Sequence, residues 1–264
     1  MILVKGYGQM CNNILQYAHL YAFGREHGVK VISMRFSYKY RYFAICKKWY
    51  HRPMTYLLAK LLIRLRLVDC IMGDNTPEID RKFAQAPLIA CGGWGCRYDE
   101  LFRKYRSEIA QLFRIKPDIQ QKVNHWMQEH PKADINLGVH IRRGDYKTWQ
   151  GGKYFFGDEV YVRLIQEFQA LHPQQKINVF ICTNDARLDI NKYRQTCPNV
   201  YLSKGSGIED LQLLSQCDYL MGVKSTFSLW ASFYRNIPLY WIMDANKSIE
   251  NNDFVHFEDV YMSV

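Results

Sequence analysis

The sequence INLGVHIRRGD occupies residues 135–145 and indicates how the second half of the chain folds. Apolar residues alternate with small or polar ones over its first seven positions, which is the period of a β-strand. Gly144 then permits a sharp turn. One histidine and two arginines, His140, Arg142 and Arg143, are therefore predicted to lie where a strand passes into a loop. In open α/β sheets, ligands bind at this place, just beyond the carboxyl ends of the strands.

The two arginines are predicted to point in opposite directions. Side chains of an extended segment alternate, so His140 and Arg142 share one side and Arg143 takes the other. A guanidinium fork can bind two phosphate oxygens, which makes Arg142 the candidate for ligand binding. The alternative is a solvated Arg-Arg pair before a turn, and this stretch alone does not separate the two.

The composition indicates a chain that can bury a real core and that has an anionic partner. It has 264 residues, of which 48% are hydrophobic, and 35 Lys and Arg against 25 Asp and Glu give a formal charge of +10. Nucleic acid, a phosphorylated small molecule or an anionic membrane surface would suit this surplus. Eight cysteines occur without a Cys-x-x-Cys pair. We therefore expect reduced thiols, no metal site and a cytoplasmic protein.

Strand and helix patterns alternate along both halves of the chain, which predicts a mostly parallel α/β architecture. The first helix is expected from Ile14 to Gly28, with Asn12 or Asn13 as its cap. The best boundary is the turn Pro131–Asp134, which divides the chain into an N-terminal α/β domain, residues 1–133, and a C-terminal one, residues 134–264. No apolar run is long enough for a membrane-spanning helix.

Residues 35–67 interleave basic and aromatic side chains, and the segment from Pro53 to Leu67 has a helical leucine pattern. Three interpretations are open. The segment could bind single-stranded nucleic acid, lie on an anionic membrane, or form a core-facing helix with a solvated basic side.

Two more polar clusters follow predicted strands in the second half. One is Thr183-Asn184-Asp185, and the other is Lys224-Ser225-Thr226-Phe227-Ser228 at a strand-to-helix turn. Backbone N–H groups and hydroxyls at a helix start bind phosphate oxygens, so with Arg142 they form a diphosphate site without a P-loop. Asp210 is either a charge partner for its own helix or an acceptor for the N1 and N2 donors of guanine.

These pieces resemble the α-1,2-fucosyltransferases. Residues 140–146, HIRRGDY, are similar to the family's His-x-Arg-Arg-x-Asp motif. Residues 12–18 resemble its N-terminal signature, residues 180–185 its mid-domain strand and turn, and residues 210–231 its C-terminal block. The four blocks occur in the family's order and span most of the chain.

The resemblance implies a GT-B-like fold of two Rossmann-like α/β domains facing across a cleft. It implies GDP-β-L-fucose as the donor substrate, inversion at the anomeric carbon, and no cofactor or required metal. Residues 1–133 would serve the acceptor and residues 134–264 the GDP-sugar. Arg142 would hold the β-phosphate and, with Asp145, is the catalytic candidate. The other implied substrate-binding residues are His140 and Asp210 for guanine, Ser225, Thr226 and Phe227 for the diphosphate, and Arg143, Asn12 and Asn13.

Several alternatives stay open at this point. Asp145 is a base if its turn aims it inward, and otherwise it fixes Arg142 or caps the turn; Arg143 is also a candidate support for the loop. Cys11 and Asn13 depart from the family signature, so the glycan acceptor is not assigned, and a lipid-linked one would suit contact with the cytoplasmic face of a membrane. The donor could also be another GDP-sugar, and the linkage another fucose linkage. A more distant alternative is a basic module that binds nucleic acid or a membrane. If the chain is the transferase, we expect no nucleic-acid partner.

Overall fold

The computed structural model describes residues 1–261, and the chain forms two compact units that divide after Lys116. The first unit contains a four-stranded parallel sheet in the order β2-β1-β4-β3. Its strands are β1 (Ile2–Val4), β2 (Val31–Ser33), β3 (Cys70–Ile71) and β4 (Ile89–Cys91). Its helices are α1 (Met10–Glu26), α2 (Met34–Tyr38), α3 (Pro53–Arg64), α4 (Pro77–Gln85), α5 (Asp99–Lys104) and α6 (Arg106–Leu112).

Helix α1 begins four residues earlier than the sequence predicts. Gln9 occupies the cap position, so the prediction that Asn12 or Asn13 caps the helix is wrong. Gly8 adopts a φ of +62°, which turns the chain sharply enough for the helix to start at Met10. The amide of Asn13 instead donates back to the carbonyl oxygens of Gly8 and Gln9, at 3.2 and 2.6 Å.

The second unit contains a five-stranded parallel sheet in the order β7-β6-β5-β8-β9. Its strands are β5 (Ile135–Ile141), β6 (Ile177–Thr183), β7 (Val200–Leu202), β8 (Tyr219–Val223) and β9 (Leu239–Ile242). Its helices are α7 (Pro117–Gln128), α8 (Asp158–Leu171), α9 (Ile190–Arg194), α10 (Gly207–Leu214), α11 (Thr226–Arg235) and α12 (Phe257–Val260). The predicted α/β class of both halves is confirmed.

The two faces of β5 contact different layers of the second unit. Leu137, Val139 and Ile141 lie in the core that also includes the inner face of α8. Gly138 lies on the opposite face, where an added Cβ would meet the Leu214 side chain of α10 at 2.8 Å. The glycine therefore lets α10 approach the sheet closely, and His140, two residues on, shares that face.

Helix α7 belongs to the second unit, so the two units divide at residues 116 and 117 and not at residues 133 and 134 as expected from the sequence. It packs against α10, where Lys122 and Glu209 form an ion pair. The Pro-Lys-Ala-Asp turn therefore connects a helix and a strand within one unit. Turn composition marks a break in secondary structure and does not show which elements pack together.

The leucine-rich face of α3 points to solvent, which contradicts the interpretation of a core-facing helix. Leu57, Leu58, Leu61 and Leu65 are each more than half exposed. The opposite face holds the buried Ala59 in a small core beneath the first sheet. Within residues 1–261, no helix combines the length and the apolar content that crossing a lipid bilayer requires.

Candidate functional site

The strand order of the second unit reverses between β5 and β8. Strands β6 and β7 lie on one side of β5, whereas β8 and β9 lie on its other side. Such a switch point leaves a crevice at the carboxyl ends of the strands, where α/β sheets bind ligands. His140 on β5 is in register with Cys182 on β6 and with Gly222 on β8. The residues that follow these three positions therefore surround the crevice.

Gly222 lets β8 lie close to His140. A Cβ added there would stand 2.6 Å from the His140 carbonyl oxygen and 3.0 Å from its Cβ. A side chain at this position would push the two central strands apart or displace the imidazole. The position of His140 therefore requires a glycine at position 222 of the neighbouring strand.

The imidazole of His140 is buried and electrically neutral. Burial and the nearby Arg142 lower the pKa of His140 to about 3, so the ring carries no charge at neutral pH. Its ring centroid lies 4.9 Å from that of Phe227. Nδ1 is buried and has no hydrogen-bond partner within residues 1–261. A buried polar atom without a partner costs about 1–3 kcal/mol, and a bound ligand that bonds to it would recover that cost.

Arg142 is held in place by Asp145 and remains partly open to solvent. Its Nη2 lies 2.9 Å from Oδ1 and 3.0 Å from Oδ2 of Asp145. The guanidinium carbon also lies 5.8 Å from the centroid of the Tyr146 ring. The Arg142 side chain is 26% exposed and that of Asp145 is 58% exposed. The carboxylate is thus bonded to the arginine, which fits the alternative in which it fixes Arg142.

Arg143 bonds to different partners from Arg142, as the alternation of an extended strand predicts. Its Nη1 donates to Asp185 at 3.0 Å and its Nη2 donates to Asp158, the first residue of α8. Its backbone N–H donates to Asn184 at 2.7 Å. The side chain is only 15% exposed. This arrangement fits the alternative in which Arg143 supports the loop.

The start of α11 supplies the other wall of the crevice. Ser225 is the cap residue, and its Oγ accepts the backbone N–H of Phe227 at 3.2 Å. Thr226 begins the helix, whose amino end carries partial positive charge and attracts anions. The Tyr146 hydroxyl donates to the carbonyl of Lys224 at 2.8 Å, which ties the loop after β5 to this helix start.

Asp210 lies in the first turn of α10, on the β6 side of His140. Burial raises the pKa of its carboxyl group to about 6, and hydrogen bonds from Ser203 and Cys182 oppose that rise. The Ser203 hydroxyl donates to Oδ1 at 2.5 Å, and the Cys182 thiol lies 3.9 Å from the Asp210 carbonyl oxygen. Cys182 is also the neighbour of His140 in the sheet. The carboxyl group of Asp210 therefore loses its proton at a higher pH than an ordinary aspartate does.

The structure gathers most of the predicted residues at the carboxyl-terminal edge of the second sheet. Sequence reasoning assigned no role to Tyr146, Ser203 or Asp158, although Ser203 directly follows β7 and so fits the rule that polar residues after strands form sites. Asn12 and Asn13 lie in the first unit. The side chain of Asn13 is buried, and its Oδ1 has no hydrogen-bond partner in the described part of the chain.

All eight cysteines are free thiols, and only Cys70 is not fully buried. No group of three His, Cys, Asp or Glu side chains in the described residues is arranged to hold a metal ion.

Comparison with solved structures identifies the class of fold. FUT1 from Arabidopsis thaliana, solved as a mutant in complex with GDP, aligns with a TM-score of 0.62 at 12% identity, over 97% of this chain and 73% of that chain. NodZ, an α-1,6-fucosyltransferase from Bradyrhizobium solved after soaking with GDP-fucose, aligns with a TM-score of 0.60 at 15% identity, over 94% of this chain and 97% of that one. The chain therefore has the GT-B-like α/β fold of these fucosyltransferases.

Sequence comparison then identifies the family. The model of glycosyl transferase family 11 matches residues 4–262, and the chain belongs to this family. Galactoside alpha-(1,2)-fucosyltransferase 2 from Hylobates lar is 21% identical over 97% of this chain and 74% of its own length. Galactoside alpha-(1,2)-fucosyltransferase 1 from Homo sapiens is 23% identical over 64% of this chain and 48% of its own length. The chain spans about half the length of most of the curated relatives it matches.

Proposed function

We propose that the chain transfers L-fucose from GDP-β-L-fucose to a hydroxyl group of a glycan, with inversion and with formation of an α-1,2 linkage. One observation carries the proposal: the neutral His140, the partly exposed Arg142 and the start of α11 meet at the switch point of a family 11 chain. The names of the curated relatives support the linkage. Another GDP-sugar or another fucose linkage is the alternative.

The diphosphate would bind between Arg142 and the start of α11. Arg142 pairs with Asp145 through Nη2, and its side chain is partly exposed, so it can reach a phosphate oxygen. The amino end of α11 and the Ser225 and Thr226 positions supply further positive potential and hydroxyl groups. Both contributions suit the β-phosphate, which gains negative charge as GDP leaves.

Guanine would bind between His140 and Asp210. The Asp210 carboxylate can accept hydrogen bonds from the N1 and N2 donors of guanine, and the neutral His140 ring offers Nδ1 as a further polar contact. Phe227, beside the imidazole, adds an aromatic surface. A base without the N2 amine would lose one charge-assisted hydrogen bond, which gives the site a preference for guanine.

In the transfer step, the bond from the anomeric carbon to the β-phosphate oxygen breaks while the acceptor oxygen bonds to the opposite face of that carbon. The bonding electrons leave with GDP, and Arg142 stabilises the charge that forms there. The sugar gains oxocarbenium character, so the acceptor hydroxyl loses its proton to solvent late in the step and needs no strong base. Asp145 acts through Arg142 as a positioning residue. Arg142 and the amino end of α11 supply the positive charge that a metal ion would otherwise provide at the diphosphate, so we propose that no metal is required.

The acceptor is proposed to be a glycan that meets the first unit, where Asn12 and Asn13 lie at the start of α1. We also propose a cytoplasmic location at the inner face of a membrane, where glycans on lipid carriers are available. The eight free cysteines support a reducing compartment.

The donor is tested by thermal shift and by transfer assays with GDP-fucose, GDP-mannose, GDP and UDP-galactose. We expect GDP and GDP-fucose to raise Tm, UDP-galactose to leave it unchanged, and transfer to occur from GDP-fucose. Analysis of the product by NMR then gives the linkage. Transfer from GDP-mannose but not from GDP-fucose would refute fucose as the donor, and stabilisation by UDP-galactose alone would refute the guanine site.

A further inference from the structure

The positive charge of the chain is concentrated in one segment of the first unit. Residues 27–68 contain ten Lys and Arg and no Asp or Glu. Since the whole chain has 35 basic and 25 acidic residues, the remainder holds 25 of each and is balanced. The formal charge of +10 therefore belongs to this segment alone. The proposed donor site, in the second unit, does not account for it.

The same segment exposes an apolar helix face. Five apolar side chains of α3 and of the residue that directly follows it are more than half exposed: Met54, Leu57, Leu58, Leu61 and Leu65. With 3.6 residues per turn, these positions fall within about 100° of the helix circumference. Lys60 and Arg64 are also exposed and border this face. We call these seven side chains the α3 surface.

An exposed tryptophan lies in the same basic segment as the α3 surface. Trp49, shortly before the helix, is 71% exposed, and the Lys30 ammonium lies 4.5 Å from the centroid of its ring. Tryptophan is enriched at the boundary between lipid and water because it combines a large apolar ring with a polar N–H. A contiguous apolar patch rimmed by charge marks an interaction site.

The aromatic side chains of this segment argue against single-stranded nucleic acid as the partner. Base stacking needs a series of exposed rings, but Phe36, Tyr40 and Phe43 are buried in the first unit, and Trp49 is the one Phe, Tyr or Trp of residues 27–68 that is more than half exposed. Tyr38 and Tyr56 stack on each other with centroids 3.9 Å apart. The exposed residues of α3 are instead aliphatic, which suits hydrocarbon and not nucleobases.

We propose that the α3 surface docks the protein on an anionic lipid bilayer. The helix would lie in the plane of the interface with its leucines among the upper acyl chains and its basic residues against acidic headgroups. A second copy of the chain is a poorer partner, because each copy would bring the same cluster of positive charge. This docking goes beyond the transfer reaction and does not depend on the identity of the donor.

The test is flotation of the full-length protein with vesicles. We expect binding to vesicles of phosphatidylcholine with 40% phosphatidylglycerol at low salt, and little binding to vesicles of phosphatidylcholine alone. Raising the salt should weaken binding, because exposed charges are screened. Equal binding to both kinds of vesicle would refute the role of the basic residues.

Two double variants separate the apolar and the charged contributions. Leu57→Gln/Leu61→Gln should lower vesicle affinity by about tenfold or more, because it removes two leucine side chains that would be partly buried in the bilayer. Lys60→Gln/Arg64→Gln should lower it by about fivefold for each charge. All four side chains are exposed, so Tm, measured by circular dichroism, should be unchanged.

The matched controls lie in the second unit. Met243→Gln replaces a 45% exposed apolar residue, and Lys132→Gln/Lys176→Gln removes the same number of charges as the basic variant. Both controls should bind vesicles as the wild type does. If they weaken binding as much as the α3 variants, the α3 surface is not the docking site.

Three further outcomes would overturn the proposal. One is tight binding of a single-stranded oligonucleotide with no binding of vesicles. Another is a dimer in sedimentation that Leu57→Gln/Leu61→Gln dissociates. The last is wild-type vesicle binding by both α3 variants. The thermal shift with GDP, measured on the same variants, should stay unchanged, so a failure of docking is distinguishable from a failure of the donor assignment.

Discussion

Arg142 and Arg143 are neighbours in the chain, but they occupy opposite environments at the end of β5. Arg143 is 15% exposed and bonds to two carboxylates and, through its backbone, to Asn184. Arg142 is 26% exposed and bonds to one carboxylate, which is itself mostly exposed. An arginine whose two terminal nitrogens both bond to carboxylates in the protein holds a loop, whereas one that is more open to solvent can bind an anion. The comparison is the basis for assigning loop support to Arg143 and for proposing anion binding by Arg142.

The largest expected effect is on catalysis by Arg142→Ala. Loss of a donor that stabilises the leaving group typically lowers the rate by about 10²–10³. We expect this fall in kcat/KM for GDP-fucose, with Tm nearly unchanged because the side chain is partly exposed and its partner Asp145 is mostly exposed. Arg142→Lys keeps the charge and should recover part of the rate. Turnover near that of the wild type by Arg142→Ala would break the comparison.

Arg143→Ala should instead lower stability. Removing one partner of a buried ion pair costs about 3–5 kcal/mol, and the partial exposure here places the expected loss near the lower end, at about 3 kcal/mol. Asp158 and Asp185 would both lose their bond to the arginine, although Lys192 still contacts Asp158. Urea unfolding measures the loss. An unchanged free energy of unfolding with a large loss of GDP affinity would reverse the roles of the two arginines.

Asp210→Asn tests the base-recognition side of the crevice. A carboxylate that accepts two guanine donors contributes about 1.5–3 kcal/mol for each charged bond, so we expect GDP to bind at least about tenfold more weakly. Calorimetry with GDP and IDP gives the comparison, because IDP lacks the N2 amine. The wild type should prefer GDP, and the variant should lose most of that preference. An equal preference in both proteins would remove Asp210 from the site.

The affinity for GDP should also depend on pH through Asp210, whose pKa is raised to about 6 by burial. Below pH 6 the carboxyl group is protonated and no longer accepts both guanine donors. The affinity of the wild type for GDP should therefore fall by up to about tenfold for each unit by which the pH is lowered. The phosphate of GDP titrates equally for both proteins, so the ratio of wild-type to Asp210→Asn affinity isolates the carboxyl group. A ratio that is constant from pH 5 to 7.5 would contradict this role.

The sign for stability is the opposite. The folded state binds the Asp210 proton more tightly than the unfolded chain, so this group stabilises the empty protein at low pH. That contribution is lost as the pH rises through about 6. A bound GDP should reverse the trend, because it favours the carboxylate.

The smallest expected effect is that of chelation. The proposed cations at the diphosphate are Arg142 and the amino end of α11, so EDTA should leave the rate of transfer from GDP-fucose unchanged. A rate that falls with EDTA and returns with Mg²⁺ would show that these groups are insufficient. The control is the Tm in EDTA, which distinguishes a catalytic from a structural effect.

The sequence predicts the strand ends well and their partners poorly. The bounds of β5 follow from the alternation over Ile135–Ile141, and the two predicted polar clusters, residues 183–185 and 224–228, lie at the ends of β6 and β8. The two carboxylates of Arg143 lie 15 and 42 residues away, and no local pattern connects them. Packing decides such contacts, and so it also decides which half contains α7.

The leucines of α3 show the same limit in another way. Their helical spacing predicts an apolar face, and the structure has that face. Spacing does not show which side of a helix meets the core, because α3 has apolar residues on two sides. Ala59, together with the partly buried Tyr56 and Leu62, forms the inner side, so the more regular leucine stripe is left outside.

The parallel pairing of β5 has a consequence for how the protein is made. β5 pairs with β6 about 42 residues later in the chain and with β8 about 82 residues later. Such distant pairings form slowly, because a long loop must close before any contact repays its entropy. During synthesis from the amino terminus, β6 becomes available before β8, so the edge of β5 that borders the crevice is the last to be covered. The proposed binding site is therefore completed late in folding, and an unpaired strand edge is exposed until β8 pairs with it.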